Sequence, residues 1–265
     1  MAKDPTIAEL FDLTGKTALV TGAVGYLGKA FAAALAEAGA SVVCSSRDAG
    51  KAREFAAMLP VKGSAKHHGV GLDHMDLASL SQGFADAVKA GGKLDILVTS
   101  GHESCPHDWT NVTPEEFDRH LRNATGCFEL SRKLREHVVG RKAPGSVIFI
   151  GSMYGVVASY PDVYEGMWTA SPVAYHCLKG GIIHMTRHLA AYWAKDNVRV
   201  NCISPGPFPD KRAPDGVVQR LNKKLPMGRM GLPHELKGAT VLLASDAGSY
   251  MTGQNIIIDG GWTAW

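Results

Sequence analysis

The stretch TALVTGAVGYLGKAFAAALAEAGA, residues 17–40, narrows the folds open to this chain more than any other. A short apolar run with the look of a buried strand passes, through Gly22, Gly25 and Gly28, into an Ala-rich helical segment that stops at Gly39. Glycine permits positive φ and lets a pyrophosphate approach the backbone, while a helix N-terminus favours negative charge. A glycine pattern alone says little, since a tight turn needs no ligand. At the first strand-to-helix junction of a strand–helix repeat, it predicts a nucleotide site.

The repeat continues along the chain. SVVCSS, HHGVGL, LDILVTS, GSVIFIGS, NVRVNCIS and NIIID read as further strands, HHGVGL as the weakest, and helical segments such as AGKAREFAAML lie between them. Such alternation implies an α/β fold, a doubly wound parallel sheet of about seven strands covered on both faces. No linker or internal repeat interrupts it, so residues 1–265 are expected to form a single domain. With 45% apolar and 20% charged residues, the chain can bury a core without disulfides or structural metal. A net charge of +3 with dispersed Lys and Arg argues against nucleic-acid or membrane-surface binding. No apolar stretch approaches the roughly 18 residues a membrane helix needs. Five scattered cysteines show no C-x-x-C spacing, so no metal site is expected, and their odd number fits a reducing compartment. MAKDPTIAELFD looks like a surface arm rather than a leader, and the cytoplasm is the expected location.

Chemistry enters after the fifth strand. Ser152 ends that strand, and Tyr175 and Lys179 stand four apart, on one face of a helix. A tyrosine hydroxyl, with an ordinary pKa of about 10, is a poor base near neutrality. A neighbouring ammonium favours phenolate, and Lys179 is spaced to supply one. The second strand ends SSRD: Ser46 and Arg47 suit a ribose 2′-phosphate, which favours NADP over NAD. Asp48 either turns back toward the ribose or caps the next helix. From Pro205 to Pro233 the rhythm breaks, with prolines also at 207, 209, 214 and 226 and a short helix expected around Val217 to Lys224. So long a loop in a compact domain suggests a lid, here over 206–232.

TGAVGYLG, LDHMDL, LDILV, RNATG, IGSMYG, YHCLK, NVRVNCISPG and GQNIIIDGG occur in the order and near the spacing of the short-chain dehydrogenase/reductase family, which the chain resembles over nearly its whole length. The resemblance implies an NAD(P)-dependent oxidoreductase that interconverts a secondary alcohol and a ketone, with Asn123, Ser152, Tyr175 and Lys179 as the catalytic set. Ser152 would stabilise charge on the substrate oxygen, and Asn123 would hold a backbone kink and a relay water. Gly22, Gly25, Tyr26, Leu27, Gly28, Ser46, Arg47, Asp73, His74, Ser100, Gly101, Pro205 and Gly206 would line the cofactor, with Tyr175 and Lys179 at its nicotinamide ribose.

Two departures stand out. Tyr26 replaces a glycine common in the family's shorter members, with glycine moved to position 25. After LDILV the family's Asn-Asn-Ala-Gly becomes TSGH, Thr99 to His102, so its sheet-tying asparagines are missing and bulky His102 replaces glycine. His102 and Glu103 therefore either reach into the substrate pocket or sit at a loop mouth. Ser152 and Tyr175 are also about twice as far apart as usual, and the excess, DVYEGMWTAS at 162–171, should loop out over the pocket before Pro172 starts the helix.

Ligands in this fold bind beyond the carboxyl ends of the strands. The loops there carry His102, Glu103, His107, Trp109, Tyr154, Tyr164, Glu165, Trp168, Phe208, Lys211 and Arg212. Aromatic faces with carboxylate and imidazole groups suit a polyhydroxylated small molecule. The pattern resembles the gluconate/sugar dehydrogenase members, and His102, Glu103, Ser152, Tyr154, Tyr164, Glu165, Trp168 and Phe208 are the expected substrate contacts. The rivals are a 3-oxoacyl-carrier-protein-type reductase, a non-catalytic nucleotide-binding regulator and a structural assembly subunit. The resemblance further implies a homo-oligomer, a dimer or a tetramer, and GGWTAW at the end of the chain offers apolar surface for it.

Overall fold

A computed structural model describes residues 4–209 and 213–265; Lys211 and Arg212, expected near the pocket, lie outside the described residues. The elements run α1 (Ile7–Leu10), β1 (Thr17–Thr21), α2 (Gly28–Glu37), β2 (Ser41–Ser46), α3 (Ala49–Ala57), β3 (His68–Gly71), α4 (Leu77–Gly91) and β4 (Ile96–Thr99). There follow α5 (Pro114–Gly140), β5 (Gly145–Ile150), α6 (Pro161–Tyr164), α7 (Val173–Trp193), β6 (Val198–Pro205), α8 (Asp215–Lys224), α9 (Lys237–Ala244) and β7 (Asn255–Ile258). Seven strands among the described residues pair in parallel in the order β3-β2-β1-β4-β5-β6-β7.

Alternation along each strand divides the core between the two faces of the sheet. Leu19, Val43, Leu97, Val147 and Val200 pack with Phe84 of α4, Leu130 and Leu134 of α5 and Leu178 and Ile182 of α7. Val20, Val42, Ile96, Val98, Ile148 and Ile203 face the other way, toward Phe31 and Leu35 of α2, Ala56 of α3 and Leu243 of α9. Because both faces are covered, the strands read as continuous apolar runs. β3 is weak in sequence for a steric reason. A Cβ at Gly69 would lie 2.2 Å from the backbone nitrogen of Arg53, so α3 can rest on this strand only where the side chain is missing.

The strand order reverses between β1 and β4, which opens a crevice at their carboxyl ends. Beside it, a third cluster joins Met153, Tyr154, Val163, Val217, Leu221, Leu225 and Trp262. It packs the loop after β5, α6, α8 and the C-terminal turn into one body above the sheet edge. Of the two terminal tryptophans, Trp262 therefore belongs to the interior, while Trp265 is 70% exposed.

Candidate active site

Local devices bring Ser152, Tyr175 and Lys179 together. Ser152 opens a single 3-10 turn, Met153–Gly155, and its Oγ accepts the Tyr154 N–H at 3.1 Å. The serine's own O–H remains available to donate. Buried Lys179 donates from Nζ to the Ile150 carbonyl at 2.8 Å, and this ammonium sits 5.5 Å from the centroid of the Tyr175 ring. The bond fastens α7 to the strand end that precedes Ser152. Gly155 permits the fit, since a Cβ there would stand 2.6 Å from the carbonyl carbon of Lys179. Ser152 and Tyr175 line one cavity of about 530 Å³.

Asn123 commits its side chain to the loop after β4. Its Oδ1 accepts from the Glu103 N–H and from His74 Nε2, both at 2.8 Å, and its Nδ2 donates to the carbonyls of Glu103 at 3.0 Å and His120 at 2.7 Å. Thr21 Oγ1 accepts the Gly101 N–H at 3.1 Å. Side chains of β1 and α5 thus hold the TSGH loop without the missing asparagines. Gly22, at φ +61°, must stay bare, because a Cβ on it would fall 2.8 Å from the Gly101 Cα.

A groove of about 380 Å³ runs along this crevice between Gly22, Gly25, Tyr26, Ser46, Arg47, Asp73, His74, Ser100 and Gly101. Gly28 lies beneath it, where a Cβ would clash 2.1 Å from the Gly22 carbonyl oxygen, and Leu27 caps α2 and packs into the core. The first N–H groups of a helix lack intrahelical partners, so the start of α2 presents donors suited to phosphate. Asp48 caps α3 by accepting the Lys51 N–H at 3.1 Å, and Ser46 and exposed Arg47 are left at the groove's rim. A glycine turn, a helix start, a hydroxyl and a guanidinium in one groove fit a dinucleotide carrying an extra phosphate.

The cavity beside the groove is walled by His102, Tyr154, Tyr164, Trp168, Gly206 and Phe208. Tyr154 and Tyr164 share a hydroxyl–hydroxyl bond at 2.7 Å, which pins the extra segment to the turn after Ser152. Burial, then the neighbouring Tyr164, raises the Tyr154 hydroxyl far above the usual tyrosine value, and burial raises Tyr164 as well. Both therefore remain neutral donors and acceptors. Crowding protein and the charge of Lys179 push the His102 imidazole below its ordinary range. The extra segment holds a short helix, α6, and Arg220 of α8 grips it by donating to the carbonyls of Asp162 at 2.9 Å and Glu165 at 2.8 Å. Lys224 adds an ion pair with Asp162 at 2.8 Å.

Some expected contacts go elsewhere. Glu103 lines the groove but turns its carboxylate to Arg119, at 2.6 Å, because that guanidinium stands one turn before Asn123 on α5. Glu165 is exposed and offers its backbone to Arg220 rather than its side chain to the cavity. His107 pairs with Glu116 at 2.8 Å, Trp109 is 72% exposed, and Pro205 simply ends β6. Leu221 and Met230 line the cavity from the segment expected to cover it, whereas Cys105, His120 and Met153 line it without having been anticipated. Only His120 left a trace in the sequence, three residues before Asn123 and hence on its face of the helix.

Residues 22–263 match the family model described as Enoyl-(Acyl carrier protein) reductase. The chain is similar to sorbose reductase of Schizosaccharomyces pombe, with 33% identity covering 97% of this chain and 99% of that protein. Similarity to the NADP-dependent mannitol dehydrogenase of Alternaria alternata reaches 34% identity, covering 97% of this chain and 95% of that one. Among solved structures, a gluconate 5-dehydrogenase from Burkholderia cenocepacia J2315 in complex with NADP and tartrate superposes with a TM-score of 0.85 at 27% identity, covering 97% and 99% of the two chains. With its glycine turn, its Ser–Tyr–Lys set and these relatives, the chain belongs to the short-chain dehydrogenase/reductase family.

Proposed function

We propose that this protein is an NADP-dependent oxidoreductase that interconverts a secondary alcohol and a ketone on a sugar, sugar acid or polyol. The observation that carries the reading is the shared cavity: Ser152 and Tyr175 open into a space walled by neutral hydroxyl and imidazole groups on aromatic rings. Those groups offer hydrogen bonds to several hydroxyls at once, beside apolar lining from Met153, Phe208, Leu221 and Met230. The relatives' names, sorbose reductase and mannitol dehydrogenase, support the same class.

When bound, the nicotinamide supplies or receives the hydride. Tyr175 moves the proton at the substrate oxygen, as base in oxidation and as acid in reduction. Ser152 donates its free O–H to that oxygen and stabilises charge there. Lys179 keeps a positive charge near the Tyr175 ring while anchored to Ile150. Asn123 fixes the loop that carries His102 and Glu103. Ser46 and Arg47 receive the 2′-phosphate.

The test is a turnover screen of sugars, sugar acids, polyols and their keto forms with NADP and NAD in parallel. Turnover of at least one polyol or ketose, faster with NADP, is the expected result; no turnover with any of them would overturn the reading. The family model's description names acyl-carrier chemistry instead. A carrier protein needs a basic docking face; of the candidates Arg119, Arg122 and Arg132 on α5, Arg119 is paired with Glu103 and Arg132 with Glu129. Reduction of a 3-oxoacyl thioester without polyol turnover would favour that second reading.

We place the protein in the cytoplasm as a homo-oligomer, tetramer or dimer. No described helix is long and apolar enough to cross a membrane, and Trp265 and Tyr250 are exposed apolar groups suited to an interface. Light scattering on the eluting protein gives the mass that decides the oligomer.

A further inference from the structure

His120 of α5 lines the substrate cavity, yet nothing satisfies it. The residue is 3% exposed, and neither Nδ1 nor Nε2 has a hydrogen-bond partner. The Glu103 carbonyl lies near enough to favour protonation of the ring, but no ring N–H is aligned with it for a bond. Burial and the charge of Lys179 act the other way and keep the imidazole neutral. A neutral imidazole has one donor and one acceptor to satisfy. A leucine would fill the same space at no polar cost, so an unmet imidazole in a cavity wall points to a ligand that meets it.

The neighbours say which part of a ligand. The His102 ring stands edge-on to His120 with centroids 5.1 Å apart and edge-on to Tyr175 at 5.4 Å. The Tyr175 ring is 6.2 Å from that of His120. A substrate oxygen within reach of the Tyr175 hydroxyl puts the group on the adjoining carbon beside these two imidazoles. His120 is 3% exposed beside the His102 ring, whose terminal torsion is broad and shallow, so a turn of that ring can widen access to His120.

We infer that His120, with His102 as its partner at the wall, binds the hydroxyl on the carbon next to the one oxidised, so that the enzyme selects vicinal diols. The inference rests on the polyol reading above. No proton is transferred in this contact; the neutral ring donates to or accepts from the hydroxyl. A hydroxyl-binding site of this kind discriminates through the groups it leaves unpaired when the hydroxyl is missing.

The test uses the full-length protein with NADP and the best polyol from the turnover screen. Two analogues of that polyol each lack the hydroxyl on one neighbour of the oxidised carbon. Wild type should show at least about tenfold lower kcat/KM on one analogue than on the parent. His120→Leu should shrink that ratio to within about twofold, while His120→Gln, which keeps a donor and an acceptor, should retain most of it. A merely structural role would lower all three substrates alike and leave the ratio unchanged, and that outcome overturns the inference. So does a wild type that treats both analogues like the parent. If the leucine variant does not fold, His120→Met carries the same comparison. A wild type that turns over no polyol fails the underlying reading instead, before any variant is made.

Discussion

A methyl group at position 155 would stand 2.6 Å from the carbonyl carbon of Lys179 and 2.7 Å from both its oxygen and the end of Ile183. Backbone cannot yield as a side-chain tip does, so Gly155→Ala must push the turn after Ser152 away from α7. Because about 1 Å of misplacement can cost on the order of a hundredfold, kcat should fall by 10- to 100-fold. NADPH affinity, read by fluorescence titration, should change far less, since Gly155 is not among the residues lining the cofactor groove. Tyr175→Phe should lower kcat at least about a hundredfold with the same retained NADPH binding. Unchanged activity would end the dehydrogenase reading. Asp95 belongs to the opposite end of the sheet, where it accepts from the Thr17 N–H at 3.0 Å and from Arg141 at 2.9 Å. Burial alone would raise its carboxyl, but the bonds from Arg141 and Thr17 and the nearby charges outweigh that and hold it below its usual value. A carboxyl lowered on folding stabilises the fold above its unfolded value of about 3.9, and loses that contribution as pH falls through the lowered folded value. Asp95→Asn should therefore cost about 3 kcal/mol at pH 7, and the gap between the two melting temperatures should narrow as pH falls through the lowered folded value. Tyr175 was legible from its spacing to Lys179, but the other two positions were not. Gly155 and Asp95 owe their meaning to partners far along the chain, and the Glu103–Arg119 pair is invisible until α5 is laid beside the TSGH loop.

At the scale of elements, the segment between Ser152 and Tyr175 was readable as an excess, because strand end and helix start are fixed by the fold. Its attachment was not. The sequence suggests a loop at the rim, whereas Val163 is fully buried against α8 and Trp262, and Tyr164 is bonded to Tyr154. Deleting 162–171 would thus unroof a hydrophobic cluster as well as a substrate wall, which blunts deletion as a test of substrate binding. Arg220→Ala is the cleaner probe. It removes charged donors from the Asp162 and Glu165 carbonyls, and such bonds are each worth about 1.5–3 kcal/mol. Part of that stabilisation is lost to water at this half-exposed site, so KM for the substrate should rise about tenfold. NADP affinity should stay within twofold, and equal losses in both would show that the segment serves the whole crevice. The strands were legible for the opposite reason. Burial on both faces leaves runs such as ILV and VIFI that need no partner to be recognised, with β3 the exception because α3 requires Gly69 there.

Across the whole molecule, the two sheet-face cores and the third cluster differ in how they are held. The first two are closed by long helices crossing seven paired strands, while the third depends on two short helices, a turn and Trp262. Regions with fewer buried contacts open sub-globally at lower free energy than the core. The small cluster should accordingly exchange its amides faster than β1, β4 and β5, even though its Met153, Tyr154, Val217 and Leu221 line the substrate cavity. Each ligand should then protect a different part of the chain. Hydrogen exchange with NADP alone should slow the amides around residues 22–28 and the loop after β4, where the groove lies. Adding a polyol with NADP present should extend protection to 160–171 and 215–225, which wall the cavity. Protection of the second region by NADP alone would mean that the extra segment answers to the cofactor. Its recruitment by substrate alone would mean that the polyol is gripped from α6 and α8, with the His102–Tyr175 side of the cavity left to position the bond that reacts.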